Sequence, residues 1–219
     1  MSSSGYNVVT GMVIGSMPMG EYDRRIVLLT REMGKISCFA KGARRPGNPL
    51  MAATDLFCYG QFRFYAGRSS YTVTEAEIAN YFPFFRTHFQ EAALGSYFLE
   101  VLDFCTRENN DESRLLLLLY RSLQAMETGR FDLKLIRAVF EIRAVREEGE
   151  FPGVPENIQL PESVRAALQH IAEAPIRDLY SFTLEEEPLS QLMAMADRLM
   201  DRTFHHRFAS LDILEVMLQ

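Results

Sequence analysis

The stretch RIVLLTREMGKISCFAK, residues 25–41, carries the pattern that decides the fold of the first part of the chain. Two runs rich in Val, Ile, Leu and Phe, Arg25 to Arg31 and Lys35 to Lys41, flank the tripeptide Glu32-Met33-Gly34. Short apolar runs separated by a few turn residues that include glycine are typical of a β-hairpin. The stretch is therefore predicted to form two antiparallel strands.

Similar apolar runs lie on both sides of this hairpin. They predict three more strands, over Tyr6 to Ile14, Leu56 to Tyr65 and Tyr71 to Ala79. A basic stretch with two prolines, Gly42 to Pro49, separates the third strand from the fourth, and Gly67 to Ser70 makes the last turn. Five short strands in about 75 residues match the size of an OB-fold, a small Greek-key barrel.

From about Phe85 the apolar residues recur at intervals of three and four, which is the period of a helix. The fold class predicted is therefore α+β in two parts. An OB-fold β-barrel over residues 1–82 precedes an all-α domain over residues 83–219, which has an irregular segment at 149–160. The helices predicted are 89–105, 115–126 and 133–145, which form a bundle, then 161–172, 188–203 and a short one from Ser210, with Asp111 or Ser113 and Asp132 as N-caps.

The charge of the chain is unevenly distributed. The whole chain of 219 residues carries a net charge of −6, yet residues 1–86 contain ten Lys and Arg against six acids, a net charge of +4. The remainder, with 13 basic and 23 acidic residues, carries −10. A basic part on an acidic protein is typical of a nucleic-acid-binding patch. The alternative that charge alone leaves open is a solvated basic face.

The third predicted strand supplies the strongest candidate site. Alternation places Lys35, Ser37, Phe39 and Lys41 on one face and leaves Ile36, Cys38 and Ala40 for the core. Cations beside an exposed aromatic ring are what single-strand binders use for phosphates and bases, although a solvated strand edge is the alternative. Further candidates are basic residues on the loop, Arg44 and Arg45, and the weaker Arg24, Arg25 and Arg68, for which surface ion pairs with Glu21, Asp23 or Glu75 are the alternative.

Enzymatic chemistry finds little support in the sequence. The three cysteines, Cys38, Cys58 and Cys105, form no C-x₂-C pair, and the adjacent His205 and His206 lack a third ligand at metal spacing. No nucleotide-binding loop or hydrolase motif occurs. We therefore expect no enzyme, no metal and no cofactor. The longest helical apolar run is far too short for a bilayer and the start of the chain lacks a signal peptide, so we expect no membrane partner and a cytoplasmic location.

Longer motifs resemble the RecO family of recombination mediators. The residues that carry the resemblance are Gly20-Glu21-Tyr22-Asp23-Arg24, Val27 to Ser37, Ala40-Lys41-Gly42-Ala43-Arg44-Arg45, Leu56 to Gly60, Gly67-Arg68, Phe140-Glu141-Ile142-Arg143 and Phe208-Ala209-Ser210-Leu211. Many members carry a zinc module of two C-x₂-C pairs after the central helix. The stretch after Phe151 contains no cysteine, so the module is expected to be absent here.

The resemblance implies a non-enzymatic protein of DNA repair and recombination. Such a protein binds single-stranded and double-stranded DNA without sequence preference, anneals strands and assists recombinase loading near the nucleoid. It also implies a RecR-type partner, and contact of the helical domain with the C-terminal tail of the single-stranded DNA-binding protein. Arg114, Arg121, Arg130, Lys134 and Arg137 are candidate cations for that contact. An OB-fold adaptor for protein interactions without DNA binding and a hydrolase of nucleic acid are the rival functions.

Overall fold

The computed structural model describes residues 6–68, 70–154 and 160–217. Ser69 in the predicted last turn and residues 155–159 of the predicted irregular segment lie outside them. The barrel part contains β1 (Tyr6–Met19), β2 (Asp23–Thr30), β3 (Gly34–Ala40), α1 (Leu50–Ala53), β4 (Tyr59–Ala66) and β5 (Tyr71–Asn80). The helices that follow are α2 (Phe89–Cys105), α3 (Ser113–Glu127), α4 (Leu133–Glu147), α5 (Glu162–Glu173), α6 (Glu186–Phe204) and α7 (Ala209–Met217), with 3₁₀ turns at Pro83–Arg86 and Ile176–Asp178.

The strands close into a barrel with the order β1-β2-β3-β5-β4. Neighbouring strands are antiparallel except β3 and β5, which pair in parallel over Cys38 to Ala40. The predicted OB-like barrel and the helical region after it are confirmed. β1 runs past its predicted end, because a bulge between Val13 and Gly15 bends the strand so that it pairs with both β4 and β2. The short helix α1 was not predicted.

The barrel core follows the alternation predicted for β3. Ile36, Cys38 and Ala40 are buried, whereas the residues between them are half-exposed. Cys58 is buried in the same core. Burial raises the pKa of Cys38 to about 12 and that of Cys58 to about 11. These two thiols are therefore core residues that stay protonated.

A segment from outside the barrel covers the free edge at the start of β3. The backbone N–H of Lys35 donates to the carbonyl oxygen of Arg107 at 2.9 Å, and that of Asn109 donates to the carbonyl oxygen of Met33 at 2.9 Å. Gly34 permits this approach: its φ is +65°, and a Cβ there would lie 2.3 Å from the carbonyl oxygen of Arg107. The segment thus extends the sheet where β5 does not reach.

The chain divides into two compact units, and each unit consists of two separate stretches of the sequence. The barrel unit comprises the chain up to Thr87 together with Leu99–Leu116. The helical unit comprises His88–Phe98 together with the chain from Leu117 onward. The predicted domain boundary after residue 82 stays a prediction about how the two parts fold.

Helix α4 lies at the centre of the helical unit. Every residue from Leu135 to Val145 is buried, and α4 packs against both α5 and α6, neither of which belongs to the predicted three-helix bundle. Asp132 caps α4 by accepting from the N–H of Lys134 at 2.7 Å, as predicted. Buried Arg143 donates to the carbonyl oxygens of Ile171 and Ala174, each at 2.8 Å, at the end of α5. No helix within the described ranges is both long and apolar enough to cross a bilayer.

Candidate nucleic-acid interface

The basic loop after β3, residues 41–49, is held against the turn between β1 and β2. The carboxylate of Asp23 accepts from the N–H of Gly42 at 2.7 Å, and the carbonyl oxygen of Tyr22 accepts from the N–H of Arg44 at 2.8 Å. Gly42 has a φ of +67°, which glycine adopts without strain. Specific hydrogen bonds therefore position this loop on the barrel.

Three loop cations face solvent at this end of the barrel. Arg44 donates from Nη1 to the carbonyl oxygen of Gly20 at 3.1 Å, and the guanidinium of Arg45 lies 4.7 Å from the centre of the Tyr22 ring. Lys41 is exposed and forms no hydrogen bond or ion pair with any residue that the structure describes. These side chains keep their charge available to a ligand. We call Lys41, Arg44 and Arg45 the loop cations.

Arg25 lies beside Phe39 on the outer face of the barrel. The two residues are cross-strand partners in the register of β2 and β3. Arg25 donates from Nε to the hydroxyl of Ser37 at 2.8 Å, so its side chain follows the outer face of β3. The side chain of Arg25 therefore points outward.

Two candidate cations are already paired within the barrel unit. Lys35 donates from Nζ to the carbonyl oxygen of Asp103 and lies 3.1 Å from the carboxylate of the same residue. Arg24 lies 2.7 Å from a carboxylate oxygen of Asp55 and also donates to the hydroxyl of Thr54 at 3.0 Å. Both side chains are only 22% exposed. Because their charge stabilises the unit itself, we leave Lys35 and Arg24 out of the interface proposed below.

Arg68 is exposed but lies away from the loop cations. It sits in the turn before β5, three residues ahead of Tyr71, which pairs with Cys38. Because β3 and β5 run in parallel, this turn lies towards the Lys35 end of β3 and the loop cations follow the other end. The structure therefore separates Arg68 from the loop cations, which follow the opposite end of β3.

The structure adds Tyr65, which was not among the sequence candidates. In the strand registers Phe39 pairs with Thr72 on β5, and Thr72 pairs with Tyr65 on β4. Tyr65 is 41% exposed, whereas its neighbour Phe64 is fully buried. The alternation of buried and exposed residues along β4 is the sequence signal that could have found this ring. Its nearness to Phe39 depends on strand order, which the sequence pattern does not show.

This face combines cations of the kind that can bind phosphates with aromatic rings that can stack on bases. A hydrogen bond with Glu21 raises the pKa of Tyr22, so the ring beneath Arg45 stays neutral. Across 6–68, 70–154 and 160–217 no three His, Cys, Asp or Glu side chains are grouped to hold a metal ion. The expected absence of zinc stays a prediction, which elemental analysis of the purified protein would check.

The helical unit contains a separate cleft of about 420 Å³. Its apolar lining includes Tyr97, Met200, Phe208 and Leu211, and its polar lining consists of Arg137, Asp197, Asp201, His205, His206, Arg207 and Asp212. Arg137 is largely buried, at 2.8 Å from Glu141 and 2.5 Å from Asp197. Of the cations predicted beside the apolar helices, Arg137 is thus already paired.

Comparison with known proteins identifies the family. The family described as "Recombination protein O N terminal" matches residues 7–82, and "Recombination protein O C terminal" matches residues 86–154. Three similar relatives are each named DNA repair protein RecO. The one from Acetivibrio thermocellus is 29% identical over 97% of both chains, and that from Clostridium kluyveri is 21% identical over 94% of this chain and 92% of its own. The one from Symbiobacterium thermophilum is 36% identical over 68% of this chain and 58% of its own. The two-part match follows the barrel and the start of the helical region, and the chain belongs to the RecO family of DNA repair and recombination proteins.

Proposed function

We propose that the barrel binds single-stranded and double-stranded DNA through the backbone, without sequence preference. The observation that carries the proposal is the set of loop cations, exposed at one end of the barrel beside Phe39 and Arg25. Cations that contact phosphates supply affinity but read no base edges. The family's place in DNA repair and recombination supports DNA as the ligand.

The charge distribution requires this contact to be local. The chain as a whole carries −6 and repels DNA at long range. At physiological ionic strength charges farther apart than about 8 Å are largely screened, so the loop cations act on the phosphates beside them. Binding is therefore expected to depend strongly on salt and on these particular side chains.

The cellular role proposed is that of a mediator without catalysis, in the cytoplasm at the nucleoid. Backbone binding on one surface can bring two complementary strands together for annealing, and it leaves the bases free to pair. We also propose that the protein assists recombinase loading with a RecR-type partner. These steps need no reaction at the loop cations, which supply only charge and position.

The helical unit is proposed to receive the C-terminal tail of the single-stranded DNA-binding protein. The cleft lined by Phe208 and Leu211 offers an apolar floor. Arg207 offers a cation at the rim: it lies 3.0 Å from Asp212, but its side chain is 84% exposed, so a ligand can still reach it. An acidic tail with an apolar end needs this combination. Titration of a labelled tail peptide against the full chain and its Arg207→Ala variant tests the contact. The matched control is Arg177→Ala, which removes another exposed arginine from the same unit.

Salt dependence of DNA binding tests the proposed interface. If each of the loop cations neutralises about one phosphate, log affinity for a single strand falls against log salt with a slope of about −2.1, or −0.7 for each cation. The double variant Arg44→Ala, Arg45→Ala is expected to reduce the slope to about −0.7 and to weaken binding to every sequence. Fluorescence anisotropy at several salt concentrations measures both quantities.

The matched control is Arg198→Ala with Arg202→Ala, which removes two exposed arginines from α6. It changes the net charge equally and is expected to leave the slope unaltered. If the double variant of Arg44 and Arg45 is folded and keeps the wild-type affinity and salt slope, the proposed interface is wrong. Affinity for a protein partner without salt dependence and without DNA binding would favour the adaptor. Loss of the DNA itself over time with Mg²⁺ or Mn²⁺ would reveal a hydrolase.

A further inference from the structure

We propose that Phe39 and Tyr65 form a platform for two unpaired bases, which makes the barrel prefer single strands to duplex. The inference rests on the proposed DNA binding and adds to it the residues that discriminate between the two forms of DNA. Tyr65 is not one of the loop cations, and the strand registers place it in line with Phe39, with Thr72 between them.

The registers place the two rings in one row across three strands. Phe39 on β3 pairs with Thr72 on β5, and Thr72 pairs with Tyr65 on β4. The residues that point inward beside them, Cys38, Val73 and Phe64, are buried, so the row lies on the outer face. Two steps between neighbouring strands separate the backbones of the two residues by about 9.5 Å. The smaller Thr72 leaves a shallow gap between them.

On the side of Phe39 away from Tyr65, the row continues to a cation. Arg25 on β2 pairs with Phe39, and Met17 on β1, 55% exposed, pairs with Arg25. The loop cations follow directly after the end of β3. Phosphates of a strand stacked on the rings therefore have positive partners on the β2 and β3 side.

Acidic residues disfavour a path of the bound DNA strand along β5, which is perpendicular to the row of rings. Glu75 and Glu77 lie farther along β5 and are exposed. Glu75 is paired at 3.3 Å with Arg63 on β4, and Glu77 lies beside Gln61 in the register. A phosphate backbone that ran along β5 would meet these carboxylates. The favoured path thus crosses the strands from β4 towards the loop cations.

Stacking on these rings selects unpaired bases. In a duplex each base is paired and stacked between its neighbours, so a ring on a barrel surface reaches it only after unpairing. In a single strand the base faces are available, and stacking contributes substantially to affinity for any base. Phosphates are accessible in both forms. The rings therefore act on single strands alone, whereas the loop cations act on both.

The experiment compares the affinities of the full-length protein for a labelled single strand and for a duplex of equal length. Phe39→Ala and Tyr65→Ala are each expected to weaken single-strand binding roughly 5- to 150-fold. Duplex affinity is expected to change less than about twofold, and the salt slope for single strands is expected to stay constant, since no charge is removed. Circular dichroism and thermal melting confirm that each variant is folded.

Two further variants sharpen the test. Tyr81→Ala removes a tyrosine of equal size and similar exposure, 43%, from outside the row, and it is expected to leave both affinities unchanged. Tyr65→Phe keeps the ring and loses only the hydroxyl, so it is expected to retain single-strand affinity. Failure of Tyr65→Phe to retain it would assign the effect to the hydroxyl and overturn the platform.

The outcomes separate this inference from the proposed function. If neither ring variant weakens single-strand binding while the double variant of Arg44 and Arg45 weakens both DNA forms, the platform is wrong and DNA binding at the loop stands. If the ring variants weaken both DNA forms equally, the rings only shape the surface and the inference falls. If the double arginine variant changes nothing, the proposed interface itself fails.

Discussion

At the residue scale, Glu141 concentrates buried charge in the helical unit. One carboxylate oxygen accepts from Nε of Arg137 at 2.8 Å and from the hydroxyl of Tyr97 at 2.6 Å. The other is buried and has no hydrogen-bond partner within the described part of the chain. Burial raises the pKa of Glu141, and the nearby guanidinium of Arg137 opposes that rise. The folded protein therefore binds a proton at Glu141 more tightly than the unfolded chain does.

This difference predicts a pH dependence of stability. The stability that the proton contributes is fully present below the ordinary pKa of 4.5 and is lost as the pH rises through the raised value. Glu141→Gln has no proton to lose, so the free energy of unfolding of wild type relative to this variant is expected to fall with rising pH. Urea titrations of both proteins, at pH values from below 4.5 to above the raised pKa, measure this difference in free energy of unfolding.

The control for this prediction is Glu185→Gln, which changes an exposed carboxylate ahead of α6. The side chain is exposed, so the variant's free energy of unfolding is expected to stay close to that of wild type. A wild type that instead gained stability over Glu141→Gln as the pH rose would show that Arg137 outweighs burial.

At the element scale, β3 depends on a glycine for its covered edge. A side chain at Gly34 would meet the carbonyl oxygens of Arg107 and Asn110 at 2.3 and 2.8 Å. Both are backbone atoms of the segment that covers the strand, so neither moves without breaking the contact. The start of β3 therefore tolerates no Cβ.

Gly34→Ala is accordingly expected to lower the free energy of unfolding by about 3 kcal/mol or more, because a backbone clash adds to a strained φ. The matched control is Gly129→Ala, which has a similar φ of +61° but no atom within 4 Å of the added Cβ. It is expected to cost about 1 to 2 kcal/mol, the strain alone. Equal losses in chemical denaturation would show that the 107–110 segment moves away at little cost.

The elements also show what a sequence pattern can and cannot predict. Alternation in β3 correctly separated Phe39 from Cys38, because a strand of period two needs only local information. The ion pair of Lys35 with Asp103 was not predicted, since its partner lies in α2, far along the chain. Tyr65 illustrates the same limit. Its outward direction follows from local alternation, but its place beside Phe39 requires the barrel order.

At the scale of the whole molecule, the barrel unit includes residues from the helical sequence. The hydroxyl of Tyr71 donates to the carboxylate of Glu108 at 2.8 Å, and the backbone bonds of Lys35 and Met33 reach the same segment. Helical periodicity identified α2 and α3 but contains no information on which part of each helix joins the barrel. Which residues belong to each unit is therefore set by tertiary contacts, and the sequence pattern could not predict it.

A comparison of two fragments tests this composition. Residues 1–82 hold all barrel strands but lack the segment that covers β3, and residues 1–116 include it. The longer fragment is expected to unfold cooperatively, and the shorter one to melt at a lower temperature or to aggregate through the free strand edge. Thermal melting followed by circular dichroism distinguishes them. Equal melting temperatures would show that residues 1–82 fold as stably without the covering segment as with it.

The burial of Cys38 and Cys58 has a practical consequence for chemical labelling. Maleimide reagents attack thiolates, and the two core thiols, with pKa values near 12 and 11, offer almost none at neutral pH. Cys105, the remaining cysteine, is half-buried at the end of α2. A fluorophore is therefore expected to attach at Cys105 in the unmodified sequence, and mass spectrometry should find a single adduct. The wild-type chain then serves as its own reporter, with the dye at the end of α2 rather than on the loop or the strands that carry the proposed interface.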